Sequence, residues 1–300
     1  MEKYDLFIVG AGAGAMTAAV YAARYKLKVL VVGTSLGGMT GWAHKVCNFP
    51  SYTEIKGMEL MKKMMDQVKA LGVEIKQGTV EEVKKIAEGF EIKTNKENYF
   101  AKKILIATGS ERKKLGLENE MRLIGKGVSY CATCDAGFYK NKIVGVVGGS
   151  DAAVTAAILL AKFATKVYII YRKDKFTKAE PTWVEELEKE SKIETLFNSE
   201  VVGIIGEDKL ESIKLKNGKE LKLDGFFIEV GSEPNLKLAE QLGLELEGKF
   251  ISVDKNQKTS VEGVFAAGDI TNNPLKQTVT ACAQGATASY TAYNEIQKRK

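Results

Sequence analysis

A chain of 300 residues with 45% apolar and 27% charged side chains has globular composition and room for two domains of ordinary size, which excludes long disordered or fibrous architectures. Its 44 basic and 38 acidic side chains leave a net charge of +6, and only five of the bases are Arg. A lysine-coated soluble surface explains that balance, and no nucleic-acid partner is expected. Four cysteines and one histidine, with a single C-x-x-C, supply too few ligands for a structural zinc, so no metal is expected either.

Met1 to Asp5 leads into a strand-like run with no secretory signal in view. Leu6 to Ala23 is 18 residues without a charge, at the edge of membrane-span length. Gly10, Gly12 and Gly14 interrupt it, and Asp5 and Arg24 bracket it, so a strand, a turn and a helix are the better reading and no membrane partner is expected. The apolar run Leu6 to Val9 ends in Gly10-Ala11-Gly12-Ala13-Gly14-Ala15, followed by an alanine-rich helical stretch to Tyr25 and a second apolar run, Val29 to Val32. Met58, Met61, Met64 and Met65 fall at helical spacing and predict a core or dimer face. Ile104 to Gly109 reads as a further strand with its terminal turn. The C-x-x-C, Cys131 and Cys134, follows.

The opening pattern then returns 138 residues on: Ile143 to Val147, Gly148-Gly149-Ser150-Asp151-Ala152-Ala153, a helix through Phe163, and a strand from Lys166 to Tyr171. In both copies the second strand closes 23 residues after the first glycine, at Gly33 and at Tyr171. Glycines let backbone approach a pyrophosphate, and the helix that follows aims unpaired N–H groups and the positive end of its dipole at the anion. Two such turns imply two bound dinucleotides. Phe226 to Gly231 matches Ile104 to Gly109, while Val264-Phe265-Ala266-Ala267-Gly268-Asp269 comes after the second copy has closed. The expected fold is α/β, two Rossmann-like three-layer dinucleotide-binding domains with the second inserted into the first: residues 1–113 with 246–300, and residues 114–245.

Gly10 to Ala15, Ala107-Thr108-Gly109, Ser129-Tyr130-Cys131-Ala132-Thr133-Cys134-Asp135, Gly148 to Ala153 and Gly263 to Asp269 occur in the order and spacing of the low-molecular-weight thioredoxin reductases, which the whole chain resembles. The resemblance implies a flavoprotein in which electrons pass from NADPH through FAD to a Cys131–Cys134 disulfide and on to a thioredoxin or glutaredoxin-like protein. Cys134 would accept electrons from the flavin, Cys131 would exchange with the partner, and Asp135 would act as general acid for the leaving thiolate. It also implies a homodimer whose domains rotate about linkers near Glu111 to Gly116 and Gly243 to Gly248, and with no secretory signal in view a cytoplasmic location is expected.

FAD contacts are expected from the first turn (Gly10, Gly12, Ala13, Gly14, Ala15), from Gly33 and Thr34 after the second strand, and from Gly37, Gly38, Met39, Thr40 and Asn48. Thr108, Gly109, Gly268, Asp269 and Lys276 are expected to join them, with Gln277 and Thr278 starting a terminal helix that points at the flavin ring. Several positions depart from the family: Met39 replaces a Gln, Lys276 an Arg, Cys47 a common Glu, and Gly33 an acid that binds the adenosine ribose. NADPH contacts are expected from Gly149, Ser150, Asp151, Ala152, Arg172, Lys173 and Lys178. There Ser150 replaces a glycine, Tyr171-Arg172-Lys173 stand for His-Arg-Arg, and Thr177-Lys178 for a later Arg. The same scaffold fed by ferredoxin or another carrier, or acting as a dithiol oxidase, therefore stays open. Cys47 is expected as a small buried hydrophobe and Cys282 in core packing, Trp42 is left open between a cover for the isoalloxazine and loop or interface packing, and His44 receives no catalytic role.

Overall fold

The computed structural model describes residues 2–43 and 45–298 and begins with β1 (Glu2–Val9), whose residues Leu6 to Val9 are all buried. A strand covered on both faces reads as an unbroken apolar run, which is why the sequence shows no alternation here. Helix α1 (Ala13–Arg24) follows, built largely of alanine, the strongest helix former. β2 (Val29–Gly33), α2 (Gly38–Trp42), α3 (Gly57–Ala70), β3 (Glu74–Gln77), the hairpin β4 (Val80–Ile86) and β5 (Gly89–Thr94), and β6 (Asn98–Ile106) come next. β1 lies between β2 and β6, parallel to both, with Leu6 opposite Val29 and Val9 opposite Ile106.

The chain divides by its contacts into two units, Met1–Glu111 with Pro234–Lys300 and Arg112–Glu233. It crosses between them along β7 (Ser110–Arg112). The second unit then holds β8 (Val128–Ser129), α4 (Ala132–Asp135), β9 (Ile143–Val147), α5 (Asp151–Ala161), β10 (Lys166–Ile170), α6 (Pro181–Glu188) and β11 (Ile193–Leu196). An antiparallel trio, β12 (Val201–Ile205), β13 (Ser212–Leu215) and β14 (Glu220–Lys222), precedes β15 (Gly225–Ile228). Return is along β16 (Ser232–Pro234), which pairs with β7. The first unit is completed by α7 (Lys237–Gln241), β17 (Leu246–Glu247), β18 (Phe250–Ile251), β19 (Val264–Ala266) and α8 (Thr278–Gln297).

The two copies of the turn thus sit in sheets of the same plan. One runs β3-β2-β1-β6 with β19 on the far edge of β6, the other β11-β10-β9-β15-β8, and each has helices on one face and antiparallel strands on the other. This is the expected pair of Rossmann-like three-layer folds. In the first unit α8 closes the helical layer against α1, with the Ser289 hydroxyl donating to the Ala18 carbonyl at 2.8 Å and Tyr293 stacked on Tyr25 at 4.7 Å.

The second crossing falls at Glu233/Pro234 rather than at the expected 245/246. Leu238 and Ala239 of α7, with Leu244, are buried in the same cluster as Tyr4, Phe7 and Val264. Burial of that apolar surface assigns residues 234–245 to the first unit, and the segment Gly243 to Gly248, expected as a linker, leads into the β17–β18 hairpin.

Candidate active site

In the first unit the turn after β1 is drawn tight, with Gly10 N donating to Val32 O at 2.7 Å and Ala107 N to Val9 O at 2.7 Å. α1 starts at Gly12 with no side-chain cap and no acid in its first turn, so the leading N–H groups at Ala13, Gly14 and Ala15 remain available to an anion. Gly37 N donates to Ala11 O at 3.0 Å and brings Gly37-Gly38 and α2 beside this turn. Thr40 and Thr278 share a hydroxyl hydrogen bond of 2.9 Å, and Asn48 Nδ2 donates to Gln277 Oε1 at 3.2 Å. These bonds fasten α2 and its loop to the start of α8. The other end of the site is fixed by Gln284, which accepts from Gly268 N and donates to Thr271, both at 2.9 Å.

Thr108 Oγ1 is buried with no hydrogen-bond partner, and burial pushes the Asp269 carboxyl above the ordinary carboxylate range against the opposing charge of Lys276. Both suit the hydroxyls and phosphates of a dinucleotide. Lys276 itself reaches the Thr271 carbonyl and lies over the Phe250 ring at 3.9 Å. A Cβ on Gly33 would come within 2.7 Å of Ala11 N, so the turn leaves no space there for the ribose-binding acid. Thr34 is exposed just beyond, its carbonyl held by Gln77 at 3.2 Å.

In the second unit Cys131 and Cys134 form a disulfide with their Cα atoms 5.3 Å apart. Cys131 caps α4, and Cys134 N donates to Cys131 Sγ at 3.2 Å. Ser129 Oγ donates to Asp135 Oδ2 at 2.7 Å and accepts from Cys131 N at 3.0 Å. The neighbouring Tyr130 donates to Glu120, a buried carboxylate that also accepts from the N–H groups of Leu115, Gly116 and Leu117. Burial and Glu120 together push the Tyr130 hydroxyl well above its usual range. The Ser129 contact was within reach of the sequence, since Ser129 stands in the cysteine motif; nothing local marked Glu120.

The second glycine turn is differently furnished. A Cβ on Gly149 would lie 2.3 Å from the Tyr171 ring, which packs onto the turn and stacks on Phe176 at 5.8 Å. Ser150 bridges to Lys178, and Asp151 Oδ1 accepts from Glu180 N at 2.6 Å, so Thr177–Glu180 is strapped to the start of α5. Arg172, Lys173 and Lys178 are exposed around this strap, with Lys173 Nζ 3.2 Å from Thr177 Oγ1. The cations suit a phosphorylated nucleotide, whereas the glycine turn is already shared with the chain itself.

Cys47 is exposed, contrary to the expected buried hydrophobe, because its loop leaves the core between α2 and α3. Cys282 packs at the start of α1, 3.9 Å from the Ala13 carbonyl, where burial pushes its thiol up. Met61 is buried, Met64 and Met65 pack at the edge of the same core, and Met58 is exposed, which makes that stripe mainly a core face. Trp42 ends α2 half-buried, and His44 lies outside the described residues. Among the described residues no helix is long and apolar enough to cross a membrane.

The model of the pyridine nucleotide-disulphide oxidoreductase family matches residues 4–285. The thioredoxin reductase of Bacillus subtilis is 37% identical over 302 residues, covering 98% of this chain and 95% of that protein. Among solved structures, Lactococcus lactis thioredoxin reductase in its FR conformation superposes with a TM-score of 0.94 at 35% identity, covering 98% of this chain and 99% of that one. T. acidophilum thioredoxin reductase gives a TM-score of 0.93 at 35% identity, covering 99% of this chain and 100% of that one.

Proposed function

We propose, for a chain that belongs to the pyridine nucleotide-disulphide oxidoreductase family, the activity of a thioredoxin-disulfide reductase that takes electrons from NADPH by way of FAD. The observation that carries this reading is the Cys131–Cys134 disulfide, set at the head of α4 beside a hydrogen-bonded carboxylate, in a chain alike over its whole length to thioredoxin reductases. FAD suits the first unit because the orphaned Thr108 hydroxyl, the buried Asp269 carboxyl and the uncapped α1 together ask for hydroxyl and phosphate partners. When bound it supplies two-electron transfer between the nicotinamide and the disulfide.

The chain's own residues account for the exchange that follows. Cys131, whose sulfur accepts from Cys134 N in the disulfide, is the proposed attacking thiolate of the reduced pair. That thiolate bonds to one sulfur of the partner's disulfide, the partner's S–S bond breaks, and the departing sulfur takes a proton from Asp135. Cys134 then displaces the partner from Cys131, re-forming the disulfide and releasing a dithiol. A thioredoxin or glutaredoxin-like protein is the proposed acceptor, in a reducing cytoplasm where such a pair serves exchange rather than stapling. A homodimer is proposed from the family resemblance.

The strap at Ser150 and Asp151 favours a second reading in which ferredoxin or another carrier supplies the electrons. One experiment tests both. The protein is expected to be yellow with about one FAD per chain, and anaerobic NADPH is expected to bleach it and to drive thioredoxin reduction without oxygen consumption. A protein that takes up no FAD sinks the central reading. Bleaching by reduced ferredoxin but by neither NADPH nor NADH moves the donor to the second.

A further inference from the structure

We propose that Ser129 is a positioning residue for disulfide exchange, its hydroxyl holding Asp135 and the Cys131 backbone in one fixed relation. The inference rests on the reading of Cys131–Cys134 as the exchanging pair. Ser129 is buried at 4% exposure and ends β8, where it pairs with Phe227 of β15. Its backbone therefore belongs to the sheet. From there the hydroxyl donates to Asp135 Oδ2 at 2.7 Å and accepts from Cys131 N at 3.0 Å.

A residue that merely shaped the turn would need only to accept from the Cys131 N–H. Here the hydroxyl proton is directed at the carboxylate six residues on, which ties the Asp135 side chain to the group that also holds the Cys131 N–H. That matters because a proton carrier works only within reach of the atom it serves. In exchange with a dithiol, an incoming thiolate bonds to one sulfur and the Cys131–Cys134 bond breaks. The departing sulfur leaves with the electron pair and takes a proton that Asp135 relays from solvent. The second thiol of the reagent, as its thiolate, then displaces the enzyme's sulfur from the mixed disulfide, leaving the cysteines reduced and the reagent oxidised to its cyclic disulfide.

The test is the rate at which dithiothreitol reduces Cys131–Cys134 in the full-length, FAD-loaded protein, followed by mass after alkylation, with the flavin spectrum and thermal midpoint reporting the fold. Positioned acids contribute about 10²–10⁴ in rate, and losing the tether should forfeit roughly tenfold of that. Ser129→Ala and Ser129→Gly are both expected to be about tenfold slower than wild type, and Ser129→Thr, which keeps the hydroxyl, within about twofold of it. In an Asp135→Asn background Ser129→Ala should slow reduction by no more than about twofold further, because the group it positions is already gone. An unslowed Ser129→Ala, or the same tenfold loss with and without Asp135, overturns the proposal and leaves Ser129 a turn residue. Thioredoxin turnover is measured separately: its absence in wild type counts against the proposed function, while the dithiothreitol series still decides the role of Ser129.

Discussion

Thr108 holds a hydroxyl that the fold has taken out of water without supplying a protein partner. A buried polar group in that position costs roughly 1–3 kcal/mol, and a bond to a ligand recovers part of it. Thr108→Val should therefore leave the FAD-free protein as stable or more stable in urea, while weakening FAD binding by about 0.5–1.5 kcal/mol, roughly two- to tenfold. Unchanged flavin affinity in a titration would remove Thr108 from the site. The two cysteines are likewise expected to differ. If Cys134 faces the flavin, as the family resemblance implies, Cys131→Ser should add a long-wavelength absorption from the remaining thiolate and Cys134→Ser should not, although both should abolish disulfide turnover. The opposite spectra would exchange the roles.

The element of most consequence is α5, whose start is claimed from two sides. Asp151 accepts from Glu180 N, Ser150 bridges to Lys178, and the Tyr171 ring covers Gly149. A strap of the chain's own backbone thus lies beside the helix start at which a nucleotide phosphate would bind. Arg172, exposed directly after β10, stands where this kind of fold meets the adenosine ribose. Arg172→Ala is expected to raise the NADPH Michaelis constant about tenfold, the lower range for losing a charge-assisted bond, with NADH little affected. Ser150→Gly, which removes a side chain from the turn, is expected to lower the constants for both nucleotides. Stopped-flow reduction of the flavin at varied nucleotide distinguishes these outcomes, and no response to either substitution would mean that electrons enter elsewhere.

Across the first unit, β6 and α8 are joined by a buried charge. Lys103 is only 2% exposed and donates to Glu295 Oε2 at 2.5 Å, while Lys258 reaches Glu295 Oε1 at 2.6 Å. Burial works against ionisation of Glu295, but the two lysines outweigh it and hold the carboxyl below its ordinary value of 4.5. A depressed folded-state value stabilises above the ordinary range, and that stability is lost as pH falls through the folded value. The protein should therefore lose stability below about pH 4.5 through this group. Lys103→Met should lower the unfolding free energy of this unit at neutral pH by about 3 kcal/mol, the lower end for breaking a buried pair, because Glu295 keeps Lys258. The variant should also lose less on acidification. Denaturant melts at pH 7 and pH 4 measure both effects, and equal acid sensitivity in the two proteins would place the coupling outside this trio.

The sequence by itself determined the paired turns and the strands around them, since each is written in local terms, apolar runs of strand length and glycines at fixed offsets, while the disulfide followed from the family resemblance of the cysteine motif. The tertiary structure decided what depends on residues distant in the chain. Residues 234–245 joined the first unit because Leu238, Ala239 and Leu244 found apolar surface there, a preference no linker-like glycine could announce. Gly33 excludes an acid only because Ala11 lies against it, and Cys47 is exposed only because its loop turns away from the core. The strap from Thr177 to Glu180 and the buried Glu120 beneath Tyr130 likewise arise from contacts between segments, since a side chain's burial and partners are properties of the packed chain and not of its neighbours in sequence.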